Sequence, residues 1–198
     1  DETSKELLNN INIKETTVSG DTRFDRVSNQ LLQDNTLAFI SEFKQNNLCI
    51  VCGSTWPEDE AVLIDYINKA PDHVKFIIAP HEINTSKIES FRKNIQQKSS
   101  LFSTKKSTNI SQYNVLIIDT VGLLTKIYSH ADIAYIGGGM GDTGLHNILE
   151  PAIFRVPIVI GNRFEKFPEA KELRELKGLF SISNALYCPA FHCNHQIS

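Results

Sequence analysis

Apolar runs of about four to six residues, at 48–52, 74–79, 115–118, 133–136, 157–160 and 179–182, alternate with stretches in which apolar residues recur every three or four positions. Runs that short, and apolar on both faces, predict buried strands, and the stretches between them predict amphipathic helices. One helix is expected to start at Pro57, with Ser54 or Thr55 as its cap, Glu58, Asp59 and Glu60 in its first turn, and Ala61, Leu63, Ile64 and Ile67 facing inward. Asn84 or Thr85 caps a second, which carries Ile88, Phe91 and Ile95. Further helices are expected around Leu123 to Tyr128, at about 146–154 and at 168–177. Upstream of residue 48 the pattern predicts a polar helix over 1–10, a strand within 11–18, a charged loop at 19–26 and one or two helical segments in 29–45. An edge strand near 101–103 interrupts the polar segment 96–109. Strands alternating with helices in this way predict a doubly wound parallel sheet, a Rossmann-like α/β domain.

Every polar motif follows a strand: Gly53-Ser54-Thr55, Pro80-His81-Glu82, Asp119-Thr120, the glycines from Gly137 to Gly144, and Gly161-Asn162. In a doubly wound sheet, loops at the carboxyl ends of the strands line the ligand crevice, so these motifs are expected to converge. The glycine turn carries Gly137, Gly138, Gly139, Met140, Gly141 and Gly144. Without Cβ atoms several amides can face one anion, and a following helix would add the positive end of its dipole. His146 and Asn147 stand at the expected helix start. Glu150, a turn further on, is suited to accept hydroxyl hydrogen bonds from a sugar. The turn matches the dinucleotide fingerprint G-x-G-x-x-G only in part, because position 142 is aspartate and the turn follows a late strand; NAD or FAD is the weaker reading. His81 reads equally as a ligand contact or a lone surface histidine. Glu82 and Asp119 read as base or sugar acceptors, or as helix caps. No Ser-His-Asp set and no credible metal cluster appears, which leaves acyl hydrolysis and metal catalysis without residues.

Composition narrows the picture. The 198 residues, 41% of them hydrophobic, suffice for one well-buried core. A formal net charge of −3 gives no ground for nucleic-acid binding. No apolar run reaches the ~18 residues a membrane span needs, and no charged-then-apolar leader opens the sequence. Met140 is the only methionine, so position 1 is expected not to be an initiator and the chain to be part of a longer protein. Cys49 and Cys52 would point to opposite faces of one strand, reading as buried free thiols of a reducing cytoplasm and not as a metal pair. Cys188, His192, Cys193 and His195 near the end lack a second pair at zinc-finger spacing; residues 187–198 read as an irregular or altered tail, after one domain over 1–186.

The ordered motifs GDTRFDRV (20–27), GST (53–55), APHEI (79–83), DTVG (119–122), ADIAYIGGG (131–139), LHNILEPA (145–152) and NRFEKFPEA (162–170) together resemble the C-terminal half of the 3-deoxy-D-manno-octulosonic acid (Kdo) transferases. The resemblance implies the C-terminal Rossmann-like domain of a two-domain, GT-B type glycosyltransferase, which binds the CMP-Kdo donor. It implies inverting transfer of Kdo to a lipid A precursor in lipopolysaccharide biosynthesis, at the cytoplasmic face of the inner membrane and without a metal or other cofactor. The catalytic base and the membrane-facing acceptor site would belong to an N-terminal domain absent here, leaving this fragment soluble and inactive alone. It further implies that Ser54, Thr55, the loop with Gly138, Gly139, Met140, Gly141 and Gly144, and Asn147 hold phosphate or the Kdo carboxylate; His146, from its place at the helix start, is within reach of the same anion. Glu150 would bind the ribose, and Pro80, His81 and Glu82 would line the cytidine side. Read without the resemblance, the same residues also suit a UDP-sugar glycosyltransferase or epimerase, or a non-catalytic nucleotide-binding module.

Overall fold

The structure is a computed structural model that describes residues 2–107 and 109–183. Its centre is a seven-stranded sheet in the order β3-β4-β2-β1-β5-β6-β7, with every pairing parallel. The strands are β1 Leu48–Thr55, β2 Val74–Pro80, β3 Ser99–Leu101, β4 Val115–Ile117, β5 Ile133–Ile136, β6 Ile158–Gly161 and β7 Leu179–Ile182. The helices are α1 Glu2–Asn10, α2 Thr22–Ser28, α3 Ala38–Lys44, α4 Pro57–Lys69, α5 Thr85–Lys93, α6 Leu124–Tyr128, α7 Leu149–Ala152 and α8 Pro168–Glu175. The doubly wound parallel sheet expected from the apolar pattern is thus observed.

Both sheet faces are covered. Ile50, Phe76, Ile78, Val115, Ile117 and Val159 pack with Leu63 and Ile67 of α4 and Ile88 and Phe91 of α5. On the other face Val51, Ile77, Leu116, Ala134 and Ile160 pack with Ile40 and Phe43 of α3 and Ile127 and Tyr128 of α6. A one-residue slip of any central strand would exchange these two sets, so burial on both sides fixes the register. Cys49 and Cys52 fall in opposite clusters, as period-two alternation requires, and both are free and buried. Burial pushes the Cys49 thiol up to about 12 and raises that of Cys52 as well.

Several local expectations are corrected. Segment 11–18 forms no strand; its residues are mostly exposed and lack the apolar alternation that a sheet edge would bury. The charged loop at 19–26 is largely helix α2: Asp21 caps it by accepting from the Arg23 amide at 2.9 Å, and Arg23 Nη1 reaches Glu169 at 2.9 Å. Neither Ser54 nor Thr55 caps α4. The N-cap is Trp56, and its amide donates to the side chain of Asp59 three residues on. Leu63 and Ile67 of α4 are buried, whereas Ala61 is exposed and Ile64 lies half-buried in a cavity. Strand β3 lies two residues earlier than expected. The helix expected over 146–154 is a single turn, α7. Asn147 takes the Leu149 amide, Pro151 has no N–H, and Arg155 has a positive φ of 59°, so regular structure cannot extend either way. The tail cysteines and histidines lie outside the described residues.

Candidate functional site

Strand order reverses between β1 and β5: β2, β3 and β4 lie on one side of β1, and β6 and β7 lie beyond β5. Such a switch point opens a crevice at the carboxyl ends of the two strands. Ser54 and Thr55 end β1 there, with Trp56 next, and the glycine turn leaves β5 directly beside them, where the Gly137 amide donates to Gly53 O at 2.9 Å.

Two close approaches require glycine. Gly138 has φ of 90°, and a Cβ there would stand 2.0 Å from the Gly144 carbonyl oxygen. Gly139 and Gly161 meet backbone to backbone; a Cβ on Gly161 would stand 2.1 Å from the carbonyl carbon of Gly139. The Arg163 amide donates to Gly139 O at 3.0 Å, and Arg163 pairs with Asp142 across the turn.

The base of the turn is held by a fully buried carboxylate. Asp59 accepts from Tyr135 Oη at 2.7 Å, from the Gly138 amide at 2.8 Å and from the Trp56 amide at 2.9 Å. Burial, and then the Asp59 carboxylate, raise the Tyr135 hydroxyl far above its ordinary range, so it stays a donor. Further round, the His146 amide closes the turn onto Gly137 O at 3.1 Å. Between these fixed points, the amides from Met140 to Leu145 donate to no other group among the described residues.

Three rings flank the turn. Trp56 and His146 lie nearly parallel, 11° apart with centroids at 6.3 Å, and the Trp56 indole N–H donates to His146 Nε2 at 2.8 Å. His81 stacks against both, with each centroid 4.4 Å away. Behind His146, the Glu150 carboxylate accepts from Thr125 Oγ1 at 2.9 Å and from Asn147 Nδ2 at 3.3 Å, and it is half-buried.

The expected site residues therefore divide. Gly138, Gly139, Met140, Gly141, Gly144, His146, Asn147 and Glu150 belong to one turn and the segment after it, and His81 joins them by stacking. Ser54 sits at the end of β1 with a positive φ of 54°. The Thr55 hydroxyl is buried and donates to Glu60 at 3.1 Å, which commits it within the protein. Burial raises the Glu60 carboxyl. Glu82 is exposed and pairs with Lys87. Thr55, Trp56, Glu60, Pro80, Glu82 and Lys87 line a cavity of about 300 Å³ beside α4 and α5, and Trp56 of the ring stack thus forms part of its wall. Asp119 holds Ser103, accepting from its amide at 2.9 Å.

Trp56, Asp59 and Tyr135 were not expected at the site. Asp59 carried only the general signal of an acid in a first helical turn, Tyr135 read as one more apolar strand position, and nothing in the sequence singled out Trp56. Among the described residues, no cluster of three or more His, Cys, Asp or Glu side chains is placed to hold a metal ion, and no helix is long and apolar enough to cross a membrane.

An all-parallel doubly wound sheet with its glycine turn at the switch point is the Rossmann-like architecture of a GT-B type domain. The crystal structure of the C-terminal CMP-Kdo binding domain of WaaA from Acinetobacter baumannii shares this fold, with a TM-score of 0.62 at 21% identity over 82% of this chain and 83% of that one. No family model matches the chain. It is 32% identical over 138 residues to the 3-deoxy-D-manno-octulosonic acid transferase of Chlamydia trachomatis serovar A, covering 68% of this chain and 32% of that protein. It is 29% identical over 136 residues to a bifunctional glycosyltransferase/methyltransferase of Fusobacterium nucleatum, covering 68% of this chain and 21% of that protein. The chain thus spans a third or less of the length of these relatives. It is a relative of the 3-deoxy-D-manno-octulosonic acid transferases, as its motifs led one to expect.

Proposed function

We propose that the chain is the donor-binding part of a glycosyltransferase that moves Kdo from CMP-Kdo to a lipid A precursor, with inversion, in lipopolysaccharide biosynthesis. The observation that carries this reading is the run of amides from Met140 to Leu145, unclaimed within the described residues, at the switch point of a sheet related to Kdo transferases. These amides and the side chains of His146 and Asn147 would receive the phosphate of CMP or the carboxylate of Kdo. Glu150, oriented by Thr125 and Asn147, would accept from the ribose hydroxyls. His81 would lie toward the nucleoside.

In this reading the turn works by electrostatic preorganisation. Donors already fixed in place meet the negative charge that grows on the departing CMP phosphate as the bond to Kdo breaks, and no reorganisation is needed at that moment. Since α7 is one turn long, the helix dipole adds little; individual amides carry the effect. The base that deprotonates the acceptor, the acceptor site and the contact with the inner membrane are assigned to a preceding domain. Residues 1–186 form the donor domain in this proposal, with 187–198 as an appended tail.

Calorimetry tests the reading. The 198-residue chain should bind CMP, bind UMP at least about tenfold more weakly if one base edge is read by hydrogen bonds, and show no transfer alone. Equal affinity for CMP and UMP would favour a UDP-sugar enzyme, and no nucleotide binding would end the proposal.

A further inference from the structure

Trp56 has no part in the reading above, yet its indole N–H is spent on a single atom, His146 Nε2. An indole N–H only donates, so Nε2 must present a lone pair, and the single proton of the neutral ring sits on Nδ1. No hydrogen bond to Nδ1 is present among the described residues. The ring is also held in place. His81 stacks on it at 4.4 Å, its own amide is tied to Gly137 O, and a Cβ on Gly138 would stand 3.3 Å from Cδ2. Protonating Nε2 would set two donors head to head and forfeit the Trp56 bond. The titratable groups that bear on the ring are His81 and Asp59. Burial and His81 oppose a positive charge, Asp59 favours one, and the first two prevail, which holds the imidazole below its ordinary pKa.

We propose that Trp56 is a positioning residue of the anion seat: its indole N–H fixes His146 as a neutral imidazole whose Nδ1–H is the donor offered to the ligand's anionic group. This rests on the reading of the glycine turn as the seat of a CMP-linked sugar. The seat then consists of uncharged donors: backbone amides, the Asn147 side-chain amide and one imidazole N–H. A tryptophan that forms one wall of a ring stack thereby acts on the ligand through another residue.

Nitrogen NMR of the ligand-free chain reads the tautomer directly. The expected result at pH 7.5 is a protonated Nδ1 and an unprotonated Nε2 for His146. Trp56→Phe keeps an aromatic wall and removes the N–H. In it the protonation midpoint of His146 should rise, because the bond that protonation forfeits is gone, while burial and His81 still hold it below the ordinary imidazole value. Compared at equal pH, where titration of the CMP phosphate itself cancels, Trp56→Phe should gain CMP affinity relative to the parent chain as pH falls from 8 to 6, by up to about threefold where binding raises the His146 midpoint by about half a pH unit. A parent chain protonated on Nε2, or equal midpoints in the two proteins, overturns the proposal; if Trp56→Phe does not fold, the parent tautomer alone decides. A parent chain that keeps the expected tautomer and midpoint change but binds no CMP defeats the nucleotide reading while upholding the control of His146 by Trp56.

Discussion

The two parts of the glycine turn use their backbone in opposite ways. At Gly137 and Gly138 each amide is bonded within the protein, to Gly53 O and to the buried Asp59 carboxylate. From Met140 to Leu145 the amides are left without a partner among the described residues. The first part is a foundation, and in the proposed function the second is the receptor. A flexible turn would have to order itself each time it met an anion, at roughly 1–2 kcal/mol per residue fixed. Anchoring its base removes much of that cost beforehand, and that is the part the buried Asp59 carboxylate would play if the turn receives an anion.

The largest test of this division is Asp59→Ala. It strands three donors, Trp56 N, Gly138 N and Tyr135 Oη, and should lower unfolding free energy by about 3–5 kcal/mol in a denaturant titration. A loss under about 1 kcal/mol would mean that Asp59 does not hold the turn. Gly138→Ala attacks the same foundation through the backbone. Its positive φ and the clash with Gly144 O should cost about 2–4 kcal/mol and weaken CMP binding together with stability. Glu150→Ala touches the receptor part only. Its partners Thr125 and Asn147 can turn to water, so stability should change by less than about 1 kcal/mol, whereas CMP affinity should fall about tenfold or more. Equal CMP affinity in both proteins would remove Glu150 from the seat.

The smallest effect is a pH dependence. His146 has a lower pKa folded than unfolded, so between the two values the unfolded chain carries the extra proton and stability rises with pH. The contribution of His146 is complete above ~6.5 and declines as pH falls below it. Denaturation midpoints should therefore drop less between pH 7 and pH 5.5 in His146→Asn than in the parent chain.

Much of this architecture was legible in the sequence because strands buried on both faces announce themselves as apolar runs. Val115, Leu116 and Ile117, with three residues of strand, were as readable as the longer β2. The glycine turn was readable for a related reason: only glycine satisfies Gly138, and the residue type therefore records the backbone. What stayed hidden depends on tertiary partners. Asp59 looks like any acid near a helix start until Tyr135 and Gly138 arrive beside it from a strand more than seventy residues later. Trp56 replaces the Ser, Thr, Asp or Asn that marks most helix starts, so its position as N-cap left no local sign. Segment 19–26 was misread because its helix is secured from outside, by Arg23 reaching Glu169 on α8. The shortness of α7 was missed because the apolar spacing of Ile148, Leu149 and Phe154 suits a helix, while the proline within it does not.

The alternation of β1 gives the molecule two internal reporters. Cys49 and Cys52 leave the same strand toward different layers of helices, and burial keeps both thiols in their unreactive protonated form. An alkylating reagent reaches Cys49 only when the α3 and α6 layer lifts, and Cys52 only when the α4 and α5 layer does. The relative labelling of two sulfurs three positions apart thus becomes a record of which side of the protein breathes first.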